Sequence, residues 1–453
     1  MTVRVESSGS VPAPSYRRLF AIAWPIVLAN VAAPLLGLID TAVIGNLGRV
    51  ADLGAIALGS LIFSLIYWGF GFLRMGTTGF TAQAAGTRDT AEIRACFMRN
   101  LLLGWLLAGM VLALQWPLVR LILSMFDASA SVEAGAAAYL SIRLWGVPAA
   151  LGLFVVCGSL IGRGHSRTLM LIQLAMNALN IVLDVLLAGV LEWGVEGVAL
   201  GTAVSEWLAF GLGGWLLLRG FRDERIDAEP FWPWSRIRRS AALVSTLKAN
   251  RDIMIRTLLM LVCFAWFTNA GAVFGDQVLA ANHVLLQFVT FSAYFLDGFA
   301  FAAESQIGAA YGRRDPRSFD LTVRRSTVLA FGTACALAGG LWMFGAPIVH
   351  VLTDLEAVRA VAAQFLPWAI AYVALSFGAF QLDGIFIGMT ATAQMRNASL
   401  LSAGGFLLLA MWWSAAAGNA GLWAAFVCYV VLRAAALLIF YPALRRRLVA
   451  GSP

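Results

Sequence analysis

Six carboxylates stand inside segments otherwise too apolar to solvate them: Asp40, Asp184, Glu206, Asp297, Glu304 and Asp383. An acidic side chain at bilayer depth costs roughly 2.5–3.5 kcal/mol on insertion scales, so each needs a partner, a water-filled cavity or a proton. Asp40 and Asp184 are the most informative. Asp184 shares a helix face with Asn177 and Asn180, which precede it by seven and four residues. Asp40 follows Pro34 and Gly37, where a missing backbone donor and loosened packing let a helix bend. At a rise of ~1.5 Å per residue, Asp40 and Asp184 lie about 33 and 26 Å from the inner surface, and Thr202 about 12 Å from the outer one. These side chains therefore reach one layer, where carboxylate, amide and hydroxyl oxygens suit either a desolvated Na⁺ or shared protons.

The remaining carboxylates read as secondary. Asp297, Asp383 and Glu206 are candidates for a second polar layer, with Asp297 and Asp383 equally readable as a pair internal to one half of the chain. Glu304, nine residues before Arg313, is expected to pair near the inner surface. Arg74 is read as the one deeply placed Arg, in need of a counter-charge or the interface.

The elements that position these groups must be membrane helices. Of 453 residues, 60% are apolar and 12% charged, with a mean hydropathy of +0.82, a balance that leaves a soluble globule too little polar surface. Segments of ~20 apolar residues, enough for a ~30 Å core, number about twelve. They fall near 17–45, 53–85, 95–122, 135–160, 167–190, 195–219, 251–273, 278–308, 326–350, 360–387, 397–416 and 420–443. Arg clusters such as Arg236, Arg238 and Arg239, Arg313 and Arg314, and Arg445 to Arg447 fall on one set of loops, and Asp52, Glu133, Glu192 and Asp354 on the other. The positive-inside rule then puts both termini in the cytoplasm. The polar start of the chain lacks the apolar region of a cleavable signal peptide, so the first span is expected to serve as the signal.

The longest polar interruption, with Pro230 and Pro233, divides the chain. The expected parts are a tail at 1–16, an N-lobe at 17–219, a basic linker at 220–250, a C-lobe at 251–443 and a second tail at 444–453. Gly158 to Gly162 matches Gly384 to Gly388, and Ala85 to Asp89 matches Tyr311 to Asp315, both at an offset of 226. Because that offset spans six helices, the repeats share one orientation about an axis along the membrane normal. The expected fold is an all-α polytopic membrane protein: twelve helices in two pseudo-symmetric six-helix lobes around a central cleft.

Other chemistry is excluded by what the motifs lack. No phosphate-binding loop, HExxH, GxSxG or dinucleotide fingerprint occurs, so neither an enzyme nor an ATP-driven machine is expected. The five Cys lack metal spacing, and the Arg residues form clusters between apolar runs, unlike a nucleic-acid-binding stripe.

Pro34-Leu-Leu-Gly-Leu-Ile-Asp40, Leu73-Arg-Met-Gly-Thr-Thr-Gly-Phe-Thr-Ala-Gln83, Asn177-Ala-Leu-Asn180-Ile-Val-Leu-Asp184, Tyr294-Phe-Leu-Asp297 and Leu382-Asp383-Gly-Ile-Phe-Ile-Gly388 together resemble the multidrug and toxic compound extrusion (MATE) family, in its DinF-like branch, over nearly the whole chain. The resemblance implies alternating access and export of small organic cations or amphipathic drugs, driven by H⁺ or Na⁺ influx across a bacterial inner membrane. It implies a monomer among lipids, with no cofactor. By position, Asp40, Asn180, Asp184 and Thr202 match the family's N-lobe cation site, while Cys157 departs from it where relatives can carry an amide. A lipid-linked oligosaccharide flippase of the same superfamily is the alternative; it needs a cationic cleft, which a single deep Arg does not supply. A channel or an embedded enzyme would need a polar pore stripe or a catalytic cluster.

Overall fold

In a computed structural model, residues 13–45, 50–124, 126 and 129–450 are described, with the backbone alone for 33–45, 50 and 51. The chain is helical from end to end among these residues. The first half comprises α1 (Tyr16–Gly45), α2 (Val50–Phe70), α3 (Phe72–Gly86), α4 (Thr90–Ala113), α5 (Gln115–Leu123), α6 (Ala130–Arg143), α7 (Val147–Gly162), α8 (Ser166–Asp184) and α9 (Gly194–Asp223). A short α10 (Trp234–Ile237) precedes α11 (Ser240–Ala272), α12 (Asp276–Gly312), α13 (Pro316–Leu352), α14 (Glu356–Gly388) and α15 (Thr392–Ala450). The last breaks in two at Ala417 and Gly418, where Gly418 adopts φ +60°, a left-handed conformation that costs a glycine little.

Ten of the described helical stretches are long and apolar enough to cross a membrane. With α1, and with α15 divided at Gly418, they make twelve crossings, a multi-pass all-α membrane protein. Several expected spans are interrupted: the second breaks at Gly71, between α2 and α3, and the fourth narrows to a 3-10 turn at Leu144–Gly146.

The repeat is visible in backbone detail. Asp89 caps α4 by accepting from the Glu92 backbone N–H at 3.0 Å, and Asp315, 226 residues later, caps α13 by accepting from that of Ser318 at 3.0 Å. Arg88 and Arg314, also 226 apart, both hold positive φ at 57° and 55°. Close packing follows the same register. A Cβ on Gly158 would come 2.5 Å from the Arg74 carbonyl, and one on Gly384 2.5 Å from the Ala300 carbonyl; both the glycines and their partners are offset by 226. Gly86 lies against Ala309 and Gly312 against Gln83, so these two contacts exchange under the repeat and join the halves at the end carrying Arg88 and Arg314.

Apolar packing is largely partitioned by half. One core gathers residues from Ile22 to Phe221, including Leu73, Leu151 and Val156, and reaches into the second half at Ile253, Phe299, Ala302 and Ala330, while another is built around Phe267, Phe406, Trp423 and Phe426. The segment between α9 and α11, expected to be a basic linker, is fastened by its acids. Arg94 of α4 donates to Asp227 at 2.9 and 3.0 Å, and Arg236 pairs with Glu229 at 2.5 Å and Asp89 at 2.6 Å. The Arg94 hydrogen bonds hold the Asp227 carboxyl well below the usual carboxylate range.

Candidate coupling site and central cavity

Asp184 is the last residue of α8 and is fully buried, directly before a π-helical turn at Val185–Val190. Such turns widen a helix and often sit at functional positions. One turn earlier, the Asn180 Nδ2 donates to Asp184 Oδ2 at 2.9 Å and to Thr202 Oγ1 of α9 at 3.4 Å. Thr202 in turn donates to the Val198 carbonyl at 2.9 Å. The structure thus brings Asn180, Asp184 and Thr202 together, with Asn177 buried two turns before Asp184 on α8. Gly201 makes the approach of α9 to α8 possible, since a Cβ there would come 2.6 Å from Asp184 Oδ1. Sequence reasoning passed over Gly201; its position next to Thr202 was the available signal. The helix α1 packs along α8 and touches the π turn. Asp40, Pro34 and Gly37 lie on α1 among the residues described by backbone alone, so their side chains fall outside the described residues.

The three carboxylates grouped as a second layer have three different surroundings. Glu206 accepts from both Nη atoms of Arg143, at 2.8 and 3.1 Å, and from the Tyr67 hydroxyl at 2.6 Å. Asp383 is clamped between Arg256 and Arg433, the latter at 2.6 Å. Asp297 lines a central cavity and makes no hydrogen bond among the described residues.

Two expectations need correction. Glu304 pairs with Arg74 of α3 at 3.2 Å, across the two halves of the chain, because α3 packs directly on α12; it does not pair with Arg313. Nor is Arg74 the one deep Arg. Arg143, Arg256 and Arg433 are 5–7% exposed, each held by a buried acid that offsets its insertion cost. Arg256 stands five, Arg143 eight and Arg433 ten residues from the nearer end of its expected segment, so a depth count applied to every Arg finds them.

Between the halves lies a cavity of about 530 Å³. Its walls include Phe63, Tyr67, Phe154 and Phe301, with Arg74, Arg143 and Arg256 as the cationic groups and Asp297 as the one carboxylate among the described lining residues. The Cys157 thiol also faces it, and Gln173 of α8 supplies an amide 3.6 Å from that sulfur. A larger groove of about 1030 Å³ between α5, α6 and α9 is far less polar; its exposed Trp116, Trp145 and Trp207 belong to surface a bilayer covers. None of the five carboxylates whose side chains are described lines it. Among the described residues, no group of three His, Cys, Asp or Glu forms a metal cluster.

Comparison with known proteins bears on this arrangement. The MatE family model matches residues 25–186 and again residues 253–412, one match in each half. DNA damage-inducible protein F of Escherichia coli (strain K12) is 36% identical over 431 residues, covering 93% of this chain and 91% of that protein. A probable multidrug resistance protein NorM of Aromatoleum aromaticum is 27% identical, covering 76% and 74%. A solved structure described as MATE in the straight conformation superposes with a TM-score of 0.83 at 21% identity, over 96% of each chain.

Proposed function

We propose that this chain, which belongs to the MatE family, exports amphipathic organic compounds through the central cavity, driven by H⁺ or Na⁺ entering at Asp184. The family and fold are those of multidrug efflux transporters working by alternating access, and not of enzymes. The observation that carries the coupling assignment is the Asp184–Asn180–Thr202 cluster. An amide can donate to an ionised carboxylate through its nitrogen and accept from a protonated one through its oxygen, so Asn180 serves both states of Asp184. The same amide and hydroxyl oxygens suit a dehydrated Na⁺.

In this reading Asp40 on α1 completes the site, and Pro34 and Gly37 let α1 bend as the site fills. Ion binding in one half then biases which face of the membrane the cavity meets, each inward charge contributing ~2.3 kcal/mol per 100 mV. The protein works in a bacterial inner membrane with both termini cytoplasmic, as a monomer without a cofactor, and its two lobes follow the division at 220–250. The resemblance implies small organic cations as substrates, and Asp297 is the one described carboxylate facing three arginines on the cavity wall.

Dye efflux from energised vesicles tests the assignment. Asp184→Asn and Asp40→Asn are expected to abolish export while the protein remains folded, and wild-type export by either variant contradicts the coupling role. Collapsing the proton gradient with and without Na⁺ identifies the ion. A second reading, a lipid-linked oligosaccharide flippase of the same superfamily, is favoured by one observation, the three arginines on the cavity wall.

A further inference from the structure

We infer that the central cavity recognises an anionic group, so that its ligands are apolar, ring-bearing compounds carrying a carboxylate, sulfonate or phosphate. This rests on the exporter reading and names its substrate class. The charges of the cluster are layered. Arg74, Arg143 and Arg256 line the cavity, whereas the acids that hold them, Glu304, Glu206 and Asp383, do not. The formal charges of these pairs cancel, yet the ligand meets the guanidinium side first.

Two of these guanidinium groups also keep donors in reserve. Among the described residues, Arg74 Nη2 and Arg143 Nε are buried without hydrogen-bond partners, and Arg143 is 5% exposed overall. Arginine only donates, so such N–H groups fit an acceptor that a ligand brings. Both guanidinium planes lie over rings, Arg74 3.7 Å from the Phe301 centroid and Arg143 4.0 Å from that of Phe63. Those contacts fix the charged planes in place and leave aromatic surface beside them for the apolar body of a ligand. Asp297 is the single opposing charge on the described wall, too little to invert it.

The anion could sit on a soluble compound or on a polyprenyl pyrophosphate lipid. Equilibrium binding to the full chain in zwitterionic nanodiscs separates these. The probes are naphthalene-1-sulfonate, the 1-naphthylmethylammonium cation with the same ring, and farnesyl pyrophosphate. The wild-type protein is expected to bind the sulfonate at least tenfold more tightly than the ammonium; binding of farnesyl pyrophosphate alone would support the anion site while assigning it to a lipid source. Arg256→Gln, which leaves Asp383 paired with Arg433, and the charge-balanced double variant Arg143→Gln with Glu206→Gln are expected to weaken anion binding about tenfold and leave ammonium binding unchanged. Preference for the ammonium, no binding of either anion, or unchanged anion affinity in both folded variants overturns the inference. Because no ion gradient is applied, these results are independent of whether Asp184 couples transport. The wild-type ligand comparison stands even if a variant does not fold.

Discussion

Asp184 and Asp383 are both buried carboxylates on membrane helices, and they are held in opposite ways. Asp184 is bound by an amide, which can donate or accept, and Asp383 by two guanidinium groups, which only donate. Protonating Asp383 would remove acceptors from two buried charges at once, whereas Asn180 can turn its amide to meet either state of Asp184. An acid buried in a membrane helix is therefore not by itself a coupling site; the partner decides whether its charge is free to change.

The largest expected effect is on the clamped acid. Asp383→Asn leaves Arg256 and Arg433 buried without their counter-charge, and breaking such a pair costs about 3–5 kcal/mol, so thermal unfolding in detergent should show a strongly destabilised protein. Removing Arg433 as well, as Gln, restores the formal charge and should recover much of that loss. Asp184→Asn should behave in the reverse way, with near wild-type folding and dye export reduced to that of vesicles lacking the protein. Retained ion-driven export by Asp184→Asn would remove the distinction between the two sites.

Gly201→Ala probes the same site sterically. Its Cβ would come 2.6 Å from Asp184 Oδ1, and overpacking of this kind costs about 1–3 kcal/mol, so slower export with a modest fall in melting temperature is expected. Wild-type export by Gly201→Ala would mean that α8 and α9 need not pack closely at the acid.

The smallest effect is expected outside the membrane. Asp227→Asn should cost about 1–1.5 kcal/mol, because Asn keeps one acceptor for the buried Arg94, which also retains its hydrogen bonds to the Phe231 and Thr90 carbonyls. The sign of its pH dependence is fixed by the lowered pKa. The contribution is fully present above the ordinary carboxylate range and is lost only as pH falls through the depressed value. Between pH 5 and 8 the melting difference between wild type and Asp227→Asn should stay constant.

Much of this was legible in the sequence because membrane insertion writes depth into the chain. The apolar run lengths gave twelve spans, and the 226-residue offset carried through to helix caps, positive-φ turns and glycine contacts. Asn180, Asp184 and Thr202 were grouped by face and depth, and the structure brings them into contact. The fates of Glu206, Glu304 and Asp383 were not, because each is decided by an Arg on a helix distant in sequence, Arg143, Arg74 and Arg433 among them. Spacing along one helix says which groups share a face; it does not say which helix packs against that face.

The measurement closest to the central claim is the coupled ion flux itself. In proteoliposomes, substrate-dependent H⁺ flux read by pyranine, or Na⁺ flux read by radiolabel, should vanish in Asp184→Asn and persist in the charge-restored Asp383→Asn, Arg433→Gln double variant. Persistent coupled flux in Asp184→Asn, or its loss in the folded double variant alone, would contradict the account.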